Sequence, residues 1–165
     1  MSFFEDWFTL AEAGLRSAAA TPLAILLFGL FTLWASIMDV RTMKVKNSLN
    51  LAFLFGGFVL WILPGGSLTL GVLHFFGLIT GFLLLFIPGM IANHAFGGDI
   101  KFVSVMGFWT GPYAISLILF TACLIQVLLF AGRRLFKKGT SMNANLPFAP
   151  AFTIGYYLLL LLTLT

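Results

Sequence analysis

The feature that most constrains the fold is a series of apolar stretches, each bounded by charged or turn-forming residues. A helix needs about 20 apolar residues to cross the hydrocarbon core of a bilayer. Hydrophobic residues make up 61% of the chain and charged residues 8%, so polar side chains are too few to cover a water-soluble core. The sequence therefore predicts an all-α polytopic membrane bundle of about six transmembrane helices, over residues 18–38, 49–63, 68–91, 102–113, 114–131 and 148–164.

Turn-forming residues separate these predicted helices. The run from Pro64 to Ser67 predicts a tight hairpin between the second and third. Pro88 predicts a kink or an early end of the third helix. Gly111 and Pro112 predict a turn between a short fourth helix and a full-length fifth.

The N-terminal segment shows a different pattern. Its apolar residues recur at helical spacing, which predicts an amphipathic helix lying in the membrane interface. The segment is acidic where a secretory signal peptide would be basic. We therefore divide the chain into an interfacial segment, residues 1–17, and a single transmembrane domain, residues 18–165. The apolar residues of the segment are Phe4, Trp7, Phe8, Ala11 and Leu15.

Basic residues predict the orientation in the membrane. Loops on the cytoplasmic side retain an excess of Lys and Arg. Eight of the nine basic residues lie in the loops after the first, third and fifth predicted helices, which predicts that these loops face the cytoplasm and that the protein lies in the cytoplasmic (inner) membrane. The same bias explains these charges without nucleic-acid binding, so the lipid bilayer is the predicted partner of the basic residues. They are Arg41, Lys44, Lys46, Lys101, Arg133, Arg134, Lys137 and Lys138.

Two acidic residues, Asp39 and Asp99, lie beyond the N-terminal segment, and both are predicted at the same end of the bundle. If their carboxyl groups meet in a desolvated pocket, repulsion raises one pKa and leaves one proton shared. One carboxylate then polarises a water and the other donates to a carbonyl, which is aspartic protease chemistry without a metal or cofactor. The alternative is that each Asp is a solvated interfacial charge at a helix end.

Two motifs resemble those of the type IV prepilin peptidases. The stretch FGGDIK (96–101) resembles their G-x-G-D-x-K signature, and DVRTMKVKN (39–47) resembles D-x-R-x-x-x-I-P-N. The stretches at 102–112 and 146–150 are similar to the family's G-L-W-L-G-P and I-P-F-G-P segments. The resemblance extends over about residues 20 to 160, in the same order.

The resemblance implies an aspartic endopeptidase that removes the basic leader of prepilin-like proteins at the cytoplasmic face, with Asp39 and Asp99 as the catalytic pair. With one cysteine, the chain resembles the short peptidase-only members of tight-adherence (Flp) pilus systems, which have no methyltransferase segment. Gly97 and Gly98 leave the backbone beside Asp99 bare for a substrate strand, and the glycines can take dihedral angles closed to other residues. The remaining supporting residues are Lys101, whose cation would favour an ionised Asp99, together with Arg41 and Asn47.

Three positions depart from the family motifs: Lys46 replaces a Pro, Phe96 replaces a Gly and Ala149 replaces a Gly. These departures keep open a second reading, a catalytically degenerate assembly protein of the same fold. A third reading is a small proton-coupled transporter with Asp39, His74, His94 and Asp99 as a relay. Clustering of the carboxylates at one face favours the enzyme.

Three other residues have ordinary structural interpretations. His74 is predicted to hydrogen-bond across the bundle, and His94 is predicted to be a loop histidine, with metal binding a weak alternative. Cys123 is predicted to be a small buried hydrophobe.

Overall fold

The computed structural model describes residues 3–19, 21–62, 68–93, 97–136 and 146–164. These residues form helices and no strands, which confirms the all-α prediction. The predicted hairpin at 64–67 lies outside them. The helices are α1 (Phe3–Ala18), α2 (Pro22–Thr42), α3 (Asn47–Ile62), α4 (Leu68–Ile91), α5 (Gly97–Phe136) and α6 (Phe148–Leu164).

The surface of the bundle is that of an integral membrane protein. In the described part of the chain, three helical stretches are long and apolar enough to cross a membrane: Pro22–Thr42, Gly71–Ile91 and Gly97–Arg134. The helices Asn47–Ile62 and Phe148–Thr163 are apolar but shorter. Large apolar side chains face outward along these helices, where lipid rather than water solvates them.

Helix α5 consists of two segments that fold back on each other at Gly111. Gly111 has φ 80° and ψ 173°, a conformation that suits glycine. A Cβ on Gly107 would lie 3.4 Å from Cγ1 of Ile115, whereas residues eight apart in one straight helix are separated by about 12 Å along its axis. The segments 97–110 and 112–136 therefore form an antiparallel pair, which confirms the predicted short fourth helix, turn and fifth helix.

The helices define two distinct ends of the bundle. Helix α2 ends, and α3, α5 and α6 begin, at what we call the carboxylate end because it holds Asp39 and Asp99. At the other end α1 packs against α5, with Gly14 against the Thr110 carbonyl. Arg16 of α1 also donates to the Thr163 carbonyl oxygen, 2.8 Å away, near the end of α6.

Glycines allow α4 and the first segment of α5 to approach closely. The Gly77 and Gly107 backbones are in contact, and a Cβ on Gly81 would lie 2.5 Å from the Val103 carbonyl oxygen. Small residues at such spacing are how membrane helices gain contact without a hydrophobic driving force. His74 Nδ1 lies 2.5 Å from the Phe108 carbonyl oxygen on the neighbouring segment, which confirms the predicted bond across the bundle.

Four phenylalanines from four elements meet below the carboxylate end and form what we call the aromatic floor: Phe31, Phe53, Phe102 and Phe152. Phe31 stacks on Phe53 with ring centroids 3.7 Å apart, and it lies 5.9 Å from Phe102. Phe102 meets Phe152 at 5.2 Å. The floor fixes the relative depths of α2, α3, α5 and α6.

Two predictions are corrected by the structure. The first transmembrane helix does not end at Met38, because α2 continues to Thr42. Cys123 is exposed rather than buried, because it lies on the outer face of the second α5 segment, which the linear pattern did not distinguish from the inner face.

Adjacent glycines on α3 provide a test of this packing. A Cβ on Gly57 would lie 2.5 Å from Nε1 of Trp109, whereas one on Gly56 would lie 4.0 Å from the nearest Trp109 atom. Gly57→Ala should therefore displace Trp109 and its 3.1 Å bond to the Phe53 carbonyl oxygen, destabilising the protein by about 1–3 kcal/mol. Gly56→Ala should be close to neutral. Thermal unfolding in detergent measures both, and equal melting temperatures would contradict the packing.

Candidate active site

Asp39 is buried on the last turns of α2, with 4% of its surface exposed. Its Oδ2 accepts a hydrogen bond of 2.8 Å from the backbone N–H of Ala149, in the first turn of α6. The N-terminus of a helix favours an anion because its first N–H groups have no partner within the helix. Asp39 is therefore a buried, hydrogen-bonded carboxylate, and the interpretation as a solvated interfacial charge is wrong for it.

Hydroxyl groups continue this polar contact between α2 and α6. Thr153 Oγ1 donates to the Ala149 carbonyl oxygen at 2.8 Å, and it lies 2.9 Å from Oγ of Ser36. Ser36, Thr153 and the Ala149 N–H are not among the site groups predicted from the sequence. The pattern that could have identified them is helical spacing: Ser36 precedes Asp39 by about one helical turn, and Thr153 follows Ala149 by about one turn.

Asp99 is the third residue of α5 and is partly exposed. Its carboxyl group interacts electrostatically with that of Asp39, so the structure brings the two predicted carboxylates together. Side chains lean toward the N-terminus of their own helix. Asp39 thus leans toward the aromatic floor and Asp99 leans away from it, so the two side chains converge.

The glycines before Asp99 leave space, as predicted, but their backbone is helical. Gly97 and Gly98 begin the helix instead of lying in a loop, and neither has a positive φ. A Cβ on Gly97 would contact nothing within 4 Å, and one on Gly98 would meet the Val45 nitrogen at 3.8 Å. Their contribution here is open space beside Asp99 rather than unusual dihedral angles.

The predicted supporting cation does not contact Asp99. Lys101 Nζ donates to Oδ1 of Asn47 at 3.1 Å, a bond that ties α3 to α5 at the carboxylate end. In the described part of the chain, Arg16 forms an ion pair with Glu12, at the end of the bundle opposite the carboxylate end. Arg41 is exposed on the last turn of α2.

His74 lies far from the two carboxylates. Its partner Phe108 follows Asp99 by nine residues, which corresponds to about 13 Å along a helix. In the part of the chain that the structure describes, His74 thus makes no relay with Asp39 and Asp99, and no three potential metal ligands cluster. His94, Phe96, Lys137 and Lys138 lie outside that part.

The chain matches a protein family over more than half of its length. Residues 26–131, which include both carboxylates, match the type IV leader peptidase family. The chain belongs to the type IV leader peptidase family. It is 32% identical over 149 residues to the "Prepilin leader peptidase/N-methyltransferase" of Bacillus subtilis (strain 168). The alignment covers 88% of this chain and 58% of that relative, so the chain spans less than two thirds of the relative's length. No solved structure matches the chain.

The two carboxylates of this family member should differ in their effect on stability. Asp39→Ala removes the acceptor of the Ala149 N–H inside the bundle, which should cost about 1–3 kcal/mol. Asp99→Ala removes a partly exposed group that repels Asp39 and should leave stability unchanged or higher. Thermal unfolding in detergent compares them, with Asp39→Asn as the control that retains an acceptor oxygen. A larger loss for Asp99→Ala would contradict this assignment.

Proposed function

We propose that the chain is an aspartic endopeptidase that cleaves the basic leader from prepilin-like proteins of the Flp type, with Asp39 and Asp99 as its catalytic pair. The observation that carries this proposal is the convergence of the two carboxyl groups at one end of the bundle, within the region that matches the leader peptidase family. The relative from Bacillus subtilis has a name that includes leader peptidase activity.

The environments of the two carboxylates suggest a division of roles. Asp39 is fixed by the Ala149 N–H and is suited to accept the proton of a water placed between the two groups. Asp99, protonated, donates to the scissile carbonyl oxygen. The water oxygen attacks the carbonyl carbon and a gem-diol forms. The C–N bond then breaks as the proton held by Asp39 passes to the leaving amine, and a hydroxyl of the gem-diol returns its proton to Asp99 as the carboxyl product forms. This mechanism forms no covalent intermediate with the enzyme.

Two surfaces support access of a substrate to this pair. The open space at Gly97 and Gly98 allows an extended segment to reach Asp99 from the carboxylate end. A lateral groove of about 290 Å³ between α2 and α3, almost wholly apolar, begins near Leu49 and Trp34 and reaches Phe53. Such a groove suits the apolar helix that follows the leader in a prepilin-like protein.

The proposed location is the cytoplasmic membrane, with cleavage at the cytoplasmic face. The basic residues Arg41, Lys44, Lys46 and Lys101 surround the carboxylate end, and an excess of basic residues favours the cytoplasmic side. The acidic α1 lies at the other end of the bundle, as this orientation requires.

The catalytic proposal predicts non-additive losses. Because each carboxyl group performs a different part of one reaction, Asp39→Asn, Asp99→Asn and the double variant should all lose at least about 100-fold in cleavage rate. Asn preserves shape and an acceptor oxygen, so all three should insert and fold. The measurement is release of the leader from a prepilin-like substrate in proteoliposomes, with Asp6→Asn in α1 as the matched control.

Cleavage that persists in either single variant would disprove the pair. A shared proton also requires a rate that falls at both low and high pH, because either the fully protonated or the fully ionised pair lacks one of the two roles. An intact chain that binds such substrates but never cleaves them would favour the degenerate assembly protein.

The orientation can be tested with single cysteines in a Cys123→Ala background. Lys44→Cys, at the carboxylate end, should resist a membrane-impermeant thiol reagent added to intact cells and react after lysis. Thr9→Cys, on the exposed side of α1, should react in intact cells. The reverse pattern would refute cytoplasmic cleavage.

A further inference from the structure

Asn50 is a buried amide without a hydrogen-bond partner. Its side chain is 4% exposed, and neither Nδ2 nor Oδ1 has a hydrogen bond. A buried amide normally finds partners, because leaving its donor and acceptor unpaired away from water is costly. An exception of this kind requires an explanation, and a functional role is one of the recognised explanations.

Most other buried polar groups of the described residues have partners, and the exceptions are Trp61 Nε1 and Gln126 Oε1. Thr32, Ser104 and Thr110 donate to carbonyl oxygens of their own helices, and Asp39 and Thr153 join α2 to α6. A hydroxyl can use its own helix in this way, whereas the longer amide of Asn50 has not done so. Asn50 thus differs from Trp61 and Gln126 in that both the donor and the acceptor of its amide are unpaired.

The aromatic floor places Asn50 at the depth of Asp99. Asn50 precedes Phe53 on α3 by three residues, and Asp99 precedes Phe102 on α5 by three residues. Both phenylalanines contact Phe31, and both helices start at the carboxylate end. Asn50 and Asp99 therefore lie at the same level, one helical turn above the floor.

The neighbouring contacts direct this face of α3 toward α5. Asn47, one turn before Asn50, accepts a hydrogen bond from Lys101 of α5. Phe53, one turn after it, accepts one from Trp109 of the same segment. Asn50 lies between these two bonds on α3, so this part of the helix faces α5.

We propose that Asn50 is a substrate-binding residue whose amide pairs with a main-chain peptide group of the substrate next to the scissile bond. The amide has a donor and an acceptor side by side, which matches the C=O and N–H of a peptide in an extended segment. No charged ligand is needed, and the pairing is independent of substrate side chains. This inference rests on the proposed function, because it assigns the position of the same substrate.

Binding and cleavage are measured separately so that the two proposals can fail independently. The probe is a fluorescent synthetic peptide with a basic leader, a glycine and an apolar helix, added to the full chain in nanodiscs. Its Kd is measured in an Asp99→Asn background, which prevents turnover. Cleavage by the chain with Asp99 intact reports on the proposed function alone.

Asn50→Leu, which preserves volume but not hydrogen bonding, should raise the Kd at least about tenfold, the scale expected for lost paired hydrogen bonds. Its melting temperature should be equal or higher, because an unpaired buried amide is replaced by an apolar group. A purely structural role would lower the melting temperature instead. Ser48→Leu, exposed on the same turn of α3, is the matched control and should leave the Kd unchanged.

Asn50→Ser, which retains one hydrogen-bonding group, should give an intermediate Kd and decides the question if the leucine variant fails to fold. An unchanged Kd in both Asn50 variants would overturn the inference while leaving the proposed function intact. Absence of peptide binding to the chain with Asn50 intact would also overturn it. Binding that depends on Asn50 without any cleavage would support the inference and refute the peptidase.

Discussion

The hydrogen bond from the Ala149 N–H to the Asp39 carboxylate joins helices whose contacting residues are 110 positions apart. A carboxylate with so little exposure needs a donor, because burial of an unpaired charge is strongly unfavourable. The start of α6 supplies one, since its first N–H groups have no partner within the helix. The hydrogen bond therefore gives the buried carboxylate a donor and the free N–H an acceptor, and it fixes where α6 lies against α2. The residue proposed for catalysis is therefore also a structural residue, and variants that remove its acceptor change stability as well as chemistry.

The aromatic floor packs beneath this contact and closes the site on that side. Phe152, one turn along α6 from Ala149, packs against Phe102, and Phe102 in turn lies near Phe31. The carboxyl groups consequently lie above a layer that excludes water from below. The low dielectric of such a position strengthens the interaction between Asp39 and Asp99. The Asn50 amide, which the protein itself does not pair, lies at this level.

The fold-back of α5 at Gly111 determines which surfaces remain for the rest of the bundle. Its first segment packs against α4 through glycine contacts, and its second segment returns toward the carboxylate end, where Gln126 reaches the carbonyl oxygens of Leu146 and Pro147 before α6. Leu146 and Pro147 lead directly into the turn that carries the Ala149 N–H. One glycine turn thus links the α4 contact to the position of the Asp39 carboxylate.

The sequence by itself determined the helices, the turn at Gly111, the amphipathic α1 and the placement of two acidic residues at one end of the bundle, because these depend on local spacing and on the length of apolar stretches. The tertiary structure alone decided that Asp39 binds Ala149, that Lys101 binds Asn47 instead of Asp99, that Cys123 faces outward and that Asn50 is buried without a partner. In an almost uniformly apolar chain the hydrophobic pattern does not mark which face of a helix points inward. Those contacts arise from how the helices pack, and they join residues that no local pattern relates.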